Sequence, residues 1–263
     1  MKILISNDDG IYANGIRALV EHLSNCYDIY VIAPDTERSA AGHSITLNSP
    51  LRVKEVEALY GSKRAWAVSG TPGDCVKMGV NAILEEQEKP DLVISGINHG
   101  PNLGHDIIYS GTVSCAIEAA MMNIPSIAVS LNSYKPVLED FKFAAEFVES
   151  LIPKLDKFKF PNKSILNVNI PGIRQEDIAG VVVTEMGGRM FTDNYEKRID
   201  PRGKVYYWMA GKLSTEKEPP TTDIQAIREN KISISPLTFN LTHTQSIQNL
   251  NEVLCKDNLC EWF

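Results

Sequence analysis

The sequence opens without an apolar run long enough for a signal or a membrane span, because Met1-Lys2-Ile3-Leu4-Ile5 leads directly into Asp8 and Asp9. A cytoplasmic chain with no membrane partner is expected. Positive charge is also short. Against 33 Asp and Glu there are 26 Lys and Arg, a formal net charge of -7. Such a surface repels a polyanion, so a nucleic-acid duplex gains no long-range attraction, and a small anionic substrate needs a local cation. The five cysteines are odd in number, scattered and free of any C-x-x-C pair, the pattern of reduced thiols in a reducing compartment. Cys255 and Cys260 have no second pair or nearby His to complete a metal site. There is no internal repeat, low-complexity tract or flexible linker. Neither G-x-G-x-x-G nor a P-loop occurs, so no dinucleotide or triphosphate cradle is indicated.

What is present is a globular composition, 43% hydrophobic and 22% charged over 263 residues, sufficient for one sizeable core. Lys2 to Ser6 and Asp28 to Pro34 read as strands, with Ile16, Leu19, Val20 and Leu23 at helical spacing between them. Asp91 to Ser95 and Ser126 to Ser130 form a second such pair around a helix from Thr112 to Met122. Thr71-Pro72-Gly73-Asp74 signals a helix start ahead of Val76 to Leu84. A further helix over Val137 to Leu151 and a strand over Ile165 to Ile170 complete an α/β region. Buried strands alternating with helices predict a mainly parallel sheet, with ligands at the carboxyl ends of its strands. After Gly180 the strands Val181 to Thr184, Val205 to Met209 and Lys231 to Ser235 stand between polar loops. The expected division is a core over 1–179 and a β-rich C-terminal extension over 180–263, packed as one body.

The carboxyl ends carry the chemistry. Asn7-Asp8-Asp9-Gly10 follows the first strand; Gly10 permits a turn that lets both carboxylates converge. Two close carboxylates favour a cation between them. Either Asp singly also serves as a helix cap, but the pair at a strand end favours a metal. After the second strand, Glu37 to Ser44 offers Ser39 as an oxygen donor, small residues such as Gly42 for close approach, and Arg38, His43 and Ser44 as polar groups, or is an ordinary polar loop. After Ser95, a glycine-punctuated loop presents Asn98 and Asn102. It leads to Ser110, Gly111 and Thr112 at a helix N-terminus, which attracts a phosphate or is simply capped. His43, His99 and His105 have no partner identifiable by spacing.

NDDG at 7–10, ERSAAGHSIT at 37–46, GTPGDCV at 70–76 and SGINHGPNLGHDIIYSGTVSCAIEA at 95–119 resemble, in order, the signatures of the survival protein SurE family of 5'-nucleotidases. The resemblance implies a Rossmann-like α/β domain with a C-terminal arm joining subunits into homodimers or homotetramers. It implies one divalent metal ion per subunit on Asp8, Asp9, Ser39 and Asn98, with Asp8 and Asp9 catalytic. It also implies phosphate contacts at Asn102, Ser110, Gly111 and Thr112, to which the loop residues Gly42 and Ser44 are added as candidates. The donors are hard oxygens, suited to Mg²⁺ or Mn²⁺. The implied substrates are nucleoside 5'-monophosphates, with 3'-monophosphates and short polyphosphate as further candidates. Thr221 and Thr238 depart from the family's usual Gly and His. Two other readings compete: an aspartyl-phosphate enzyme, disfavoured because the acids are adjacent and not D-x-D, and a non-catalytic nucleotide sensor.

Overall fold

The computed structural model describes residues 1–161, 163–189, 191–192 and 194–256. In chain order the elements are β1 (Lys2–Ser6), α1 (Asn14–Leu23), β2 (Asp28–Pro34), β3 (Val53–Val56), β4 (Arg64–Val68), α2 (Pro72–Met78), β5 (Leu92–His99), α3 (Gly111–Met121), β6 (Ser126–Asn132), α4 (Lys142–Phe158), β7 (Ser164–Pro171), β8 (Val181–Val183), β9 (Phe191–Thr192), β10 (Tyr195–Ile199), β11 (Val205–Met209), β12 (Lys212–Leu213), α5 (Asp223–Arg228), β13 (Ile232–Thr238) and α6 (Thr244–Lys256).

Nine strands form one sheet in the order β3-β4-β2-β1-β5-β6-β7-β13-β8. All neighbours run parallel except β3 on β4 and β13 on β7. The apolar strands are explained by burial on both faces. Ile3 and Ile5 face a layer containing Ile16, Leu19 and Val148 of α1 and α4. Leu4 faces the opposite layer, with Val76 of α2 and Cys115 of α3. From β1 the chain builds outward through β2 and β4, then returns to place β5, β6 and β7 on the other side of β1. The order therefore reverses between β1 and β5, the kind of crevice where open α/β sheets bind ligands.

Several elements differ from the sequence expectation. The strand expected to stop at Ser95 continues to His99, so Asn98 and His99 stand on its end. The helix expected through Leu84 stops at Met78 and passes into a π-helical turn over Gly79–Ile83. The helix expected over Val137 to Leu151 begins with a 3-10 turn at Leu138–Phe141 and runs on to Phe158. The main sheet also crosses residue 180, since β8 and β13 form its far end, while β10 and β11 make a separate antiparallel hairpin. Among the described residues no helix is long and apolar enough to cross a membrane.

Candidate active site

The turn after β1 is closed by its own first residue. Asn7 Nδ2 donates to the Gly10 carbonyl (3.1 Å) and Asn7 Oδ1 accepts from the Gly10 N–H (3.2 Å). Gly10 has a φ of +103°, a conformation that disfavours any side chain. The result sends the two carboxylates to different neighbours. Asp8 is buried and accepts from Thr112 Oγ1 at 2.5 Å. Gly111 makes this approach possible: a Cβ on it would stand 2.7 Å from Asp8 Cβ. Asp9 faces the end of β5, where His99 Nδ1 lies 2.5 Å from Asp9 Oδ1 and the His99 N–H donates to Oδ2 at 3.4 Å.

The His99 approach is close but misaligned, and Asp9 Oδ1 is left as a buried oxygen with no hydrogen-bond partner. Burial raises the pKa of Asp8. Burial first, and the charge of Asp8 second, push Asp9 up to about 6. An orphaned buried oxygen beside a second carboxylate is a poor resting arrangement for two anions and a good one for a cation. Among the described residues no three His, Cys, Asp or Glu side chains converge, so any further donors must be hydroxyl, amide or water oxygens. Asn98, half-buried, commits Nδ2 to the Gly100 carbonyl (2.8 Å). Its Oδ1 remains for another partner. Ser39 is exposed, with Oγ donating to Glu37 Oε1 at 2.6 Å.

The loop carrying Ser39 is fastened beside the turn by the Arg38 N–H on the Asp8 carbonyl (2.7 Å) and the Gly42 N–H on the Tyr109 carbonyl (3.0 Å). Ser44 Oγ turns back to the Ala41 carbonyl (2.8 Å). Ser110 is the N-cap of α3, its Oγ accepting from the Val113 N–H at 3.1 Å. Asn102 is engaged through its backbone and its amide nitrogen: its N–H donates to Asn169 Oδ1, its Nδ2 donates to Ser130 Oγ, and its carbonyl accepts from Asn167 and Asn169. It braces the loop from buried positions at the ends of β6 and β7. Sequence reasoning missed those partners, and also Asp223, whose buried carboxylate accepts from the N–H groups of Gly104 and Gly187 (2.9 Å each). The signal for Asp223 was its place in Thr222-Asp223-Ile224-Gln225-Ala226, a stretch that resembles the family's pattern loosely.

A family model described as survival protein SurE matches residues 3–193. The chain belongs to the SurE family. This SurE chain is 48% identical over 263 residues to the 5'-nucleotidase SurE of Trichodesmium erythraeum, covering 96% of this chain and 97% of that one. It is 48% identical over 260 residues to the 5'-nucleotidase SurE of Thermosynechococcus vestitus, covering 97% of both. Its fold superimposes on the crystal structure of the SurE protein from Aquifex aeolicus with a TM-score of 0.82 at 39% identity, over 95% of this chain and 98% of that one. All the residues gathered around Asp8 and Asp9 fall inside the SurE match, whereas β11, α5, β13 and α6 lie beyond it.

Proposed function

We propose that this SurE-family chain is a divalent-metal-dependent phosphomonoesterase, a 5'-nucleotidase that converts nucleoside 5'-monophosphates to nucleoside and phosphate. The observation that carries the metal dependence is the orphaned Asp9 Oδ1 next to Asp8 at the point where the strand order reverses. The nucleotide class is supported by the names of relatives near 48% identity over nearly the whole chain.

Asp8, Asp9, Ser39 and Asn98 are the residues that would hold one Mg²⁺ or Mn²⁺. Bound there, the cation supplies Lewis-acid polarisation of a phosphate oxygen and lowers the pKa of water. The chain's own part is orientation and charge. Asp8 is held by Thr112, and Asp9 Oδ2 accepts from the His99 backbone N–H, so both carboxylates are fixed in place before the substrate arrives. Asp8 and Asp9 are the carboxylates in place to orient or deprotonate the attacking water. The first turn of α3 lies against Asp8 through Gly111 and Thr112. Its N–H groups and the positive end of its dipole attract phosphoryl oxygens.

The setting is cytoplasmic in this reading, supported by free Cys26, Cys75 and Cys115. Assembly into a homodimer or homotetramer is also part of it. The expected contact joins the aromatic run Val205 to Met209 with residues around Thr222 to Asn240. Part of the second lies within the sheet, since β13 pairs with both β7 and β8; exposed apolar side chains include Tyr207, Trp208 and Met209 on β11 and Ile247, Leu250 and Val253 on α6, and such surfaces favour association.

A phosphate-release screen tests the reading. It should cover 5'- and 3'-nucleoside monophosphates, sugar phosphates and short polyphosphate, with Mg²⁺, Mn²⁺ or chelator. Release is expected foremost from nucleoside 5'-monophosphates and only with a divalent cation. Nucleotide binding with Mn²⁺ but no phosphate release would make the protein a sensor and overturn the proposal.

A further inference from the structure

Six residues past Thr112 on α3, Glu118 carries a carboxylate that is 3% exposed among small and apolar side chains. Both of its oxygens are occupied: His43 Nε2 lies 2.9 Å from Oε2, and Lys77 Nζ donates to Oε1 at 2.7 Å. The hydrogen bond from His43 foremost, with help from Lys77, holds the carboxyl below the usual carboxylate range. Glu118 is therefore ionised and can only accept, which means His43 Nε2 carries the proton. Removing one partner leaves a buried charge uncompensated.

The two partners come from different elements. Lys77 belongs to α2, and His43 to the long segment between β2 and β3, which has no regular structure over 37–47. This is the segment that brings Ser39, Gly42 and Ser44 to the site. Its other fastenings are the Arg38 and Gly42 N–H groups already described, Thr71 Oγ1 on the Ser44 carbonyl (2.7 Å), and Thr46 Oγ1 and N–H on Asp74 (2.6 and 3.1 Å). His43 adds the one side-chain hydrogen bond from the segment to α3 among the described residues. At 1.5 Å per residue, Glu118 lies about 9 Å along the helix from Thr112. With Nε2 bonded to Glu118, His43 is placed to anchor the segment.

We propose that Glu118 is a positioning residue: through His43 it latches residues 37–47 onto α3, and this latch sets how tightly the site holds its phosphorylated substrate. The second half rests on the phosphomonoesterase reading; the first does not.

The full-length protein with saturating Mn²⁺ provides the test, comparing His43→Ala, Glu118→Gln and His43→Gln. Amide hydrogen exchange at Gly42 and Thr46 reads the latch, and KM and kcat with a nucleoside 5'-monophosphate read its consequence. In His43→Ala and Glu118→Gln, exchange should accelerate and KM rise, each about tenfold, with kcat changed less than about threefold. His43→Gln, whose amide can still donate to Glu118, should return both towards the wild-type values. Unchanged exchange and KM in His43→Ala would overturn the latch. So would a His43→Gln variant as impaired as His43→Ala, which would make the ring itself the working group. If Glu118→Gln does not fold, the two His43 variants decide alone. If the wild-type protein releases no phosphate from any nucleotide, the functional reading falls, while the exchange rates still judge the latch.

Discussion

Replacing Asp9 by Asn should stabilise the metal-free protein and abolish phosphate release. The Asp9 side chain is only 7% exposed, and its pKa stands at about 6 against an ordinary 3.8 because of burial and then the neighbouring Asp8. At 1.36 kcal/mol per pKa unit, that difference is a penalty of about 3 kcal/mol on the folded state when Asp9 is ionised. The penalty is full above pH 6, declines as the pH falls through 6, and vanishes below the unfolded value of 3.8. At pH 5 about half of it remains. Asn carries no charge at any pH, so the gain from the substitution follows the same curve. Thermal unfolding in chelator should show Asp9→Asn melting above wild type at pH 8, by roughly 2–4 °C per kcal/mol for a chain of this size. The margin should narrow by about half at pH 5.

Divalent cation should reverse the order. A ligand at 1,000 times its Kd stabilises the form that binds it by about 4.1 kcal/mol, more than the penalty of about 3 kcal/mol, and wild type should gain this from Mn²⁺ while Asp9→Asn gains little. Should Asp9→Asn melt below wild type in chelator at pH 8, or should its margin be independent of pH, the account of Asp9 as a strained anion awaiting a cation would be wrong.

Ser39→Ala and Asn98→Ala remove neutral oxygens and should shift the Mn²⁺ concentration needed for half-maximal activity upward, with excess metal restoring turnover; no response to added metal would assign both residues to phosphate or to structure. Gly111→Ala places a Cβ 2.7 Å from Asp8 Cβ and 2.9 Å from Pro72 Cγ, an overpacking that should cost about 1–3 kcal/mol in melts and lower kcat/KM as well, and wild-type behaviour would show that α3 does not need its close approach. Light scattering at micromolar concentration should find a homodimer or homotetramer, reduced in size by Leu250→Asp on α6 or Trp208→Ser on β11. A monodisperse wild-type monomer would refute the assembly.

The core strands legible in the sequence were those buried on both faces. β1 and β2 lie between two helical layers, and their uninterrupted apolar runs matched the observed limits at Lys2–Ser6 and Asp28–Pro34. β4, RAWAV, was missed because it is five residues long and begins with an arginine whose guanidinium lies over Trp66 at 4.5 Å and pairs with Glu55. A charged residue with a paired, partly covered head looks like a loop residue until its partners are known. β10 was missed for the opposite reason: it is exposed along its length, so no core-facing pattern marks it; α6 carries Ile247, Leu250 and Val253 at helical spacing and was readable.

The same distinction governs the site. The acidic pair and the glycine after it were readable because a local turn brings them together, and the structure shows that turn closed from within by Asn7. Partners distant in sequence were not readable: Thr112 meets Asp8 across 104 residues, Asn169 meets Asn102 across 67, and His43 meets Glu118 across 75. Periodicity can place Glu118 on a helix, but it cannot supply the cations that make a buried glutamate tolerable. Those come from how β2, α2 and α3 sit around one sheet. A chain that can bury Glu118 must therefore have assembled the neighbours of its active site already, which is why the latch on residues 37–47 emerges only from the fold.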